Sequence, residues 1–270
     1  MDQYQSLRLL GFDIFSGEKK FFSNGFRGVV NTINPHSFIT ARSDRQFRKA
    51  LKASNYIIPD GVGFVIAAKV LTGEKISKIA GADLHEVIIS SLNKHKGACF
   101  YLGSSDDTLQ KIRERHLREN PFMRMGSFSP PYKLTFNAYD NCSMIKAVND
   151  FNPDVLFVGM TAPKQEKWVY ENRHLINAPV ICSIGAVFDF YAGTVKRPDK
   201  FWISLGLEWL PRLIMDPKRL WRRTLISTPL FLWIIMLRKL RLSVKYNIKM
   251  FEVHFLHKFN IQNSIFRHRG

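Results

Sequence analysis

Short apolar runs alternate with stretches of helical periodicity through the first three quarters of the chain. Gly28-Val-Val-Asn-Thr-Ile33 reads as a strand that ends at the turn signal Asn34-Pro35. Asn55-Tyr-Ile-Ile58 is a second strand, closed by Pro59-Asp60-Gly61. Ala98-Cys-Phe-Tyr-Leu102, Asp154-Val-Leu-Phe-Val158 and Pro179-Val-Ile-Cys-Ser-Ile184 supply three more. Between them the spacing predicts a helix capped by Ser43 and running to about Ala53, and another from Val62 to Leu71. A third is capped by Asp83 and aligns Leu84, Val87, Ile88 and Leu92 on one face. Two more run from Gly103-Ser104-Ser105 to about Arg118 and from Pro163 to about Leu175. Strands alternating with helices predict an α/β fold: a Rossmann-like parallel sheet flanked by helices on both faces.

The pattern changes after about Val195. From Phe201 onward the text is rich in Trp, Leu and Arg and reads as helix without strand alternation. The expected division is an α/β core over residues 1–197 and a basic, aromatic, helical appendage over 198–270. The longest apolar run, Pro229 to Leu237, lies in that appendage, with Arg or Lys close on both sides. It is too short for a membrane-spanning helix, which needs about 20 residues.

Composition sharpens this division. The chain has 270 residues, enough to bury a full core, and its 46% hydrophobic content excludes a disordered polymer. Forty Lys and Arg against 22 Asp and Glu give a net charge of +18. Residues 196–270 hold 16 Lys or Arg and 4 Asp or Glu, a net of +12, which leaves +6 for residues 1–195. Basicity is thus mainly a property of the appendage, and it calls for a polyanionic partner: nucleic acid, an anionic membrane face or phosphorylated substrates. Cys99, Cys142 and Cys182 are far apart, so neither a zinc site nor a disulfide framework is expected; Cys99 and Cys182 read as core residues. The first residues lack the basic start and apolar stretch of a secretion signal, which with reduced thiols points to the cytosolic side.

In sheets of this kind ligands bind beyond the carboxyl ends of the strands. The polar and glycine residues expected there are Thr32, Asn34, Asp60, Gly103-Ser104-Ser105, Gly159 to Gln165, and Gly185 to Asp189. Gly103-Ser104-Ser105 is either an ordinary strand–helix turn or a phosphate cradle at a helix N-terminus. It is neither a P-loop nor a dinucleotide fingerprint, which argues against an NAD-dependent enzyme. Asp60 is either a turn residue or a general base facing a cleft. Gln165, in the first turn after Pro163-Lys164, has an amide that could donate to a sugar hydroxyl or a phosphate. No Asp-x-Asp occurs, so a sugar-nucleotide enzyme built on this chain would stabilise a departing diphosphate with cationic side chains and helix termini rather than through that metal-binding pattern. In the appendage Arg212, Arg219 and Arg222 fall at i, i+7 and i+10, roughly one face of a straight helix. Arginine mixed with Trp202, Trp209, Trp221 and Trp233 suggests an interfacial segment on anionic lipid. A basic helix bound to nucleic acid is the rival reading, but the apolar block at 229–237 favours lipid.

Seven segments in order carry a family likeness: Thr32-Ile-Asn34-Pro-His-Ser37, Pro59-Asp60-Gly61-Val-Gly63, Ala80-Gly81-Ala-Asp83-Leu84, Tyr101-Leu-Gly103, Val158 to Trp168, Gly185 to Arg197, and Gly206 to Leu213. Over about residues 8 to 225 the chain resembles the WecG/TagA/CpsF glycosyltransferases. The resemblance implies an inverting transfer, without a metal or other cofactor, from a UDP-sugar to an undecaprenyl-diphosphate-linked sugar. It places the enzyme peripherally on the cytoplasmic face of the bacterial inner membrane, in cell-surface polysaccharide assembly. N-acetylmannosamine or its uronic acid is the expected sugar and glucose the alternative. Asp60 matches the family's general base, and Thr32, Asn34 and Gln165 match pocket positions. Arg212, Arg219 and Arg222 match arginines that fold over the site toward the lipid diphosphate. Lys78, Asp83, Gly103 and Lys164 complete the expected substrate-binding set. Lys78 stands where the family often has Arg; it keeps the charge and loses bidentate phosphate geometry. The partners expected are thus the UDP-sugar, the lipid-linked acceptor and an anionic membrane surface, with no nucleic acid and with a homo-oligomer left open. The tail beyond about Lys239 runs longer than the family leads one to expect.

Overall fold

The computed structural model describes residues 5–196, 198–199, 201–202 and 209–242. The division expected at 197/198 falls beside residues outside this set, and so does the appendage beyond 242.

Eight strands form one sheet: β1 (Ser6–Leu9), β2 (Phe12–Phe15), β3 (Gly28–Ile33), β4 (Tyr56–Pro59), β5 (Ala98–Gly103), β6 (Arg124–Phe128), β7 (Val155–Gly159) and β8 (Val180–Ser183). Their order is β1-β2-β4-β3-β8-β7-β5-β6. Every pairing is parallel except the β1–β2 hairpin at one edge. The five expected strands are all present, and the sheet is larger than expected by that hairpin and by edge strand β6. The hairpin alternates buried Leu7 and Leu9 with exposed Ser6 and Arg8. It turns at Leu10-Gly11, both with positive φ (55° and 87°), the geometry that matches strand twist.

The helices are α1 (Pro35–Ser43), α2 (Arg45–Lys52), α3 (Val62–Thr72), α4 (Gly81–Lys94), α5 (Asp106–Glu119), α6 (Ala138–Phe151), α7 (Lys164–Asn172) and α8 (Ala186–Ala192). Three of them, α1, α6 and α8, were not expected. Asn34-Pro35 is a helix start rather than a turn: Asn34 is the N-cap and Pro35 the first helical residue, where a missing N–H costs nothing. Asp44, not Ser43, caps α2 through the Phe47 N–H. Leu84, Ile88, Leu109, Ile112 and Phe188 put α4, α5 and α8 on one face, against Tyr101 and Phe157. On the other face Phe38, Phe47 and Phe64 of α1–α3 cover Ile33 and Ile57. Beside them Met144, Val148, Trp168 and Val169 of α6 and α7 cover Leu102, Leu156 and Ile181. Cys99 and Cys182 are fully buried, and burial pushes the Cys99 thiol up to about 12.

The helix after β3 lies on one face and the helix after β8 on the other. The same reversal separates β7 from β5, so the carboxyl edge opens between these strands, where α/β sheets bind ligands. Where β5 meets β7 the backbones touch. A Cβ on Gly103 would lie 2.2 Å from the Gly159 carbonyl oxygen, and Gly103 has φ +118°.

The appendage is helical over Trp209–Met215 and Pro217–Trp221, π-helical over Arg222–Ser227 and helical again over 228–242. The break at Asp216 has a local cause, because the ring of Pro217 disfavours helical geometry in the residue before it.

Candidate active site

The sequence-selected residues gather along the carboxyl edge. Asp60 follows β4, and its N–H donates to the Ile33 carbonyl at 2.8 Å, fastening it beside the end of β3. Thr32, half-buried, sits one residue before that end, opposite Ile58. The Ile79 N–H donates to Pro59 O at 3.0 Å, which brings the Lys78 segment alongside the same strand end. Gly61 has φ +92°, and among the described residues nothing lies within 4 Å of where a Cβ would stand, so they leave the turn after Asp60 uncovered on that side.

Two of these residues also hold up the scaffold. Asn34 Oδ1 accepts the Ser37 N–H at 3.0 Å while Ser37 Oγ accepts the Asn34 N–H at 2.9 Å, a reciprocal cap. Asp83 lies inside α4 rather than before it, and its carboxylate accepts the Ala80 N–H at 3.3 Å. At the β5–α5 turn Ser105 is the cap, and Asp106 and Asp107 occupy the first turn, where carboxylates already complement the helix dipole.

The appendage folds back onto this edge. Arg223 Nη2 lies 3.8 Å from Asp60 Oδ2, with the two side chains 34% and 26% exposed, so the pair remains in contact with solvent. His36 Nδ1 is 2.9 Å from the hydroxyl of buried Ser227. Partial burial, and then the nearby Arg223 guanidinium, hold His36 below the usual histidine range. Phe231 is completely buried, its ring centroid 5.4 Å from Phe38 and 5.2 Å from Phe64. Ile235, one turn later, is buried in the same cluster. The apolar block is therefore split: Phe231 and Ile235 seat the tail on the core, while Leu230, Leu232, Trp233, Met236 and Leu237 stay exposed. Exposed Arg238, Lys239 and Arg241 follow them.

The break at Asp216 and the π-helical stretch mean that straight-helix phase does not relate Arg212, Arg219 and Arg222. The side chains of Arg212 and Arg219 lie outside the described residues. Arg222 is exposed and stacks 5.4 Å from the Trp221 ring. Among the described residues, the arginine that reaches Asp60 is its neighbour, Arg223.

A second cluster forms at the start of α7. Lys164 Nζ donates to the Lys133 carbonyl and lies 3.6 Å from the Phe136 ring centroid; burial lowers its pKa. Gln165 is only 4% exposed. Its Oε1 accepts the Met160 N–H at 3.2 Å and its Nε2 donates to Glu166 Oε1 at 2.9 Å. Glu166 is itself 2% exposed, and burial pushes its carboxyl up to about 7. The sequence reading missed Arg223, His36, Phe231 and Glu166. Only Phe231 had a signal: it and Ile235 are four apart in an otherwise uniform apolar block.

Among the described residues no helix is long and apolar enough to cross a membrane. Comparison with known proteins assigns the chain. The profile described as "Glycosyl transferase WecG/TagA/CpsF family" matches residues 16–245. A Bacillus subtilis (strain 168) protein named N-acetylglucosaminyldiphosphoundecaprenol N-acetyl-beta-D-mannosaminyltransferase is 33% identical over 208 residues, 77% of this chain and 79% of the relative. A protein of the same name from Bacillus spizizenii (strain ATCC 23059 / NRRL B-14472 / W23) is 30% identical with the same coverage. One from Staphylococcus aureus (strain MW2) is 26% identical over 80% of this chain and 83% of its own. The fold and these matches agree: the chain is a glycosyltransferase and belongs to the WecG/TagA/CpsF family.

Proposed function

We propose that this enzyme transfers N-acetylmannosamine, or its uronic acid, from a UDP-sugar to a sugar carried on undecaprenyl diphosphate, with inversion and without a metal. The relatives named above carry N-acetylglucosaminyl-diphosphoundecaprenol as acceptor in their names. The observation that carries the reading is the position of Asp60: a partly exposed carboxylate at the carboxyl edge, left uncovered at Gly61 by the described residues and roofed by a basic tail.

In the proposed reaction Asp60 takes the proton from the acceptor hydroxyl as that oxygen attacks the anomeric carbon. The bond from the anomeric carbon to the diphosphate breaks, and UDP leaves with the electron pair. Cationic groups along the edge, Lys78, Lys164 and the tail arginines, neutralise the two diphosphates. Thr32, Asn34, Gly103 and Asp83 border the donor, and Gln165 orients it. The exposed Leu, Trp and Met of the tail, followed by Arg238, Lys239 and Arg241, rest on anionic lipid and bring the site to its acceptor.

The test is a donor screen with a short-chain lipid-diphosphate N-acetylglucosamine acceptor, reading released UDP with and without EDTA. EDTA-insensitive, acceptor-dependent UDP release from UDP-N-acetylmannosamine or its uronic acid supports the reading; release only from UDP-glucose, or only with added metal, overturns it. Flotation with anionic and with neutral vesicles, beside a salt titration against duplex DNA, tests the tail: the expected result is binding to anionic vesicles alone.

A further inference from the structure

Among the described residues, Asn31 Oδ1, Ser183 Oγ and Glu166 Oε2 are buried without a hydrogen-bond partner. Asn31 on β3 and Ser183 on β8 are register partners. Each stands two residues beyond a member of the core under α7, Val29 and Ile181, so both point to that face of the sheet. On α7, Trp168 reaches α6, where its Nε1 donates to Asn141 Oδ1 at 2.8 Å. Glu166 is buried two residues before Trp168 on the same helix. Asn31 Nδ2 is already committed to Ser54 Oγ at 2.8 Å, so its oxygen is left to accept.

We propose that Glu166 is a positioning residue that fixes the Gln165 amide for donor binding. Its Oε1 takes one Nε2 hydrogen of Gln165, which leaves the other for the substrate, while Met160 N–H fixes the amide oxygen. Gly185 closes the arrangement: a Cβ there would lie 2.6 Å from Gln165 Oε1 and would push the amide off Met160. Gly185 has helical φ and ψ, −43° and −46°, so alanine fits its backbone and displaces only its neighbour.

This inference rests on the reading that Gln165 meets the donor. In the full-length enzyme, KM for UDP-N-acetylmannosamine and KM for the acceptor are measured separately, beside melting temperature. Glu166→Ala and Gly185→Ala are expected to raise donor KM by about 10- to 100-fold, the scale of a misplaced binding group, and to leave acceptor KM within about twofold. Glu166→Gln, which can still accept and donate, is expected to restore donor KM to within about threefold of the parent. If folded Gly185→Ala or Glu166→Ala leaves donor KM unchanged, or shifts both KM values equally, the proposal is wrong. A glutamine variant as impaired as the alanine variant also overturns it. Should Glu166→Ala fail to fold, Gly185→Ala decides. Gln165→Ala is the control: unchanged donor KM there refutes the role of Gln165 itself, whereas an effect there without one at Glu166 refutes only this inference.

Discussion

Replacing Phe231 by alanine should detach the tail from a core that stays folded. Phe231 has no solvent exposure and sits between Phe38 and Phe64, with Ile235 beside it. Truncating a buried phenylalanine costs about 3–5 kcal/mol. Phe38 and Phe64 remain packed with Phe12, Phe47 and the rest of their cluster, so the loss falls on docking of the tail rather than on the sheet. Three kcal/mol at about 1.4 kcal/mol per decade shifts the docked-to-undocked ratio by roughly a hundredfold. Ile235 keeps part of the apolar seat, while the polar ties, the 3.8 Å Arg223–Asp60 pair and the His36–Ser227 bond, are partly solvated and contribute on the order of 1 kcal/mol or less each. Amide hydrogen exchange read by mass spectrometry separates the two regions. Protection over 228–242 should collapse while β3, β5, β7 and β8 keep theirs, and lipid-acceptor transfer should fall with the tail. Unchanged protection over 228–242 would refute the reasoning, as would sheet and tail losing protection together.

Gly103→Ala should destabilise the core by at least about 3 kcal/mol, because it combines a Cβ 2.2 Å from the Gly159 carbonyl with φ +118°; a denaturant midpoint close to the parent's would contradict this. Glu166 gives a pH signature. Its folded carboxyl titrates at about 7 against about 4.5 unfolded, so the folded form holds the proton longer and stability drains away as pH rises between those values. The parent should lose about 3 kcal/mol more than Glu166→Gln between pH 4.5 and 8, and denaturant melts showing parallel pH curves for the two proteins would rule out a buried neutral carboxyl.

The central strands were legible because a strand covered on both faces is written as an unbroken apolar run, as in Val155-Leu-Phe-Val158. Edge strand β6 is half exposed and reads Arg-Met-Gly-Ser-Phe, with no run and no clean alternation. The β1–β2 hairpin did alternate, but its turn is Leu-Gly rather than the Asn-Gly or Asp-Gly that usually marks one. Helix α1 was hidden because Asn-Pro serves equally as a turn and as a cap followed by a first helical residue. The carboxyl-edge residues could be chosen from sequence because strand ends locate them. Arg223 could not, since its approach to Asp60 depends on the break at Asp216 and the π-helical stretch, which shift helical phase. Nor could Glu166: a glutamate in a first turn normally faces solvent, and only the packing of α7 against the sheet buries it.

Transfer by Asp60→Asn tests the central claim most directly. With UDP-N-acetylmannosamine and a lipid-diphosphate acceptor, the turnover rate should fall by about 10²- to 10⁴-fold, the worth of a general base, while affinity for UDP and for anionic vesicles stays near the parent's. A turnover within a few-fold of the parent would contradict the account.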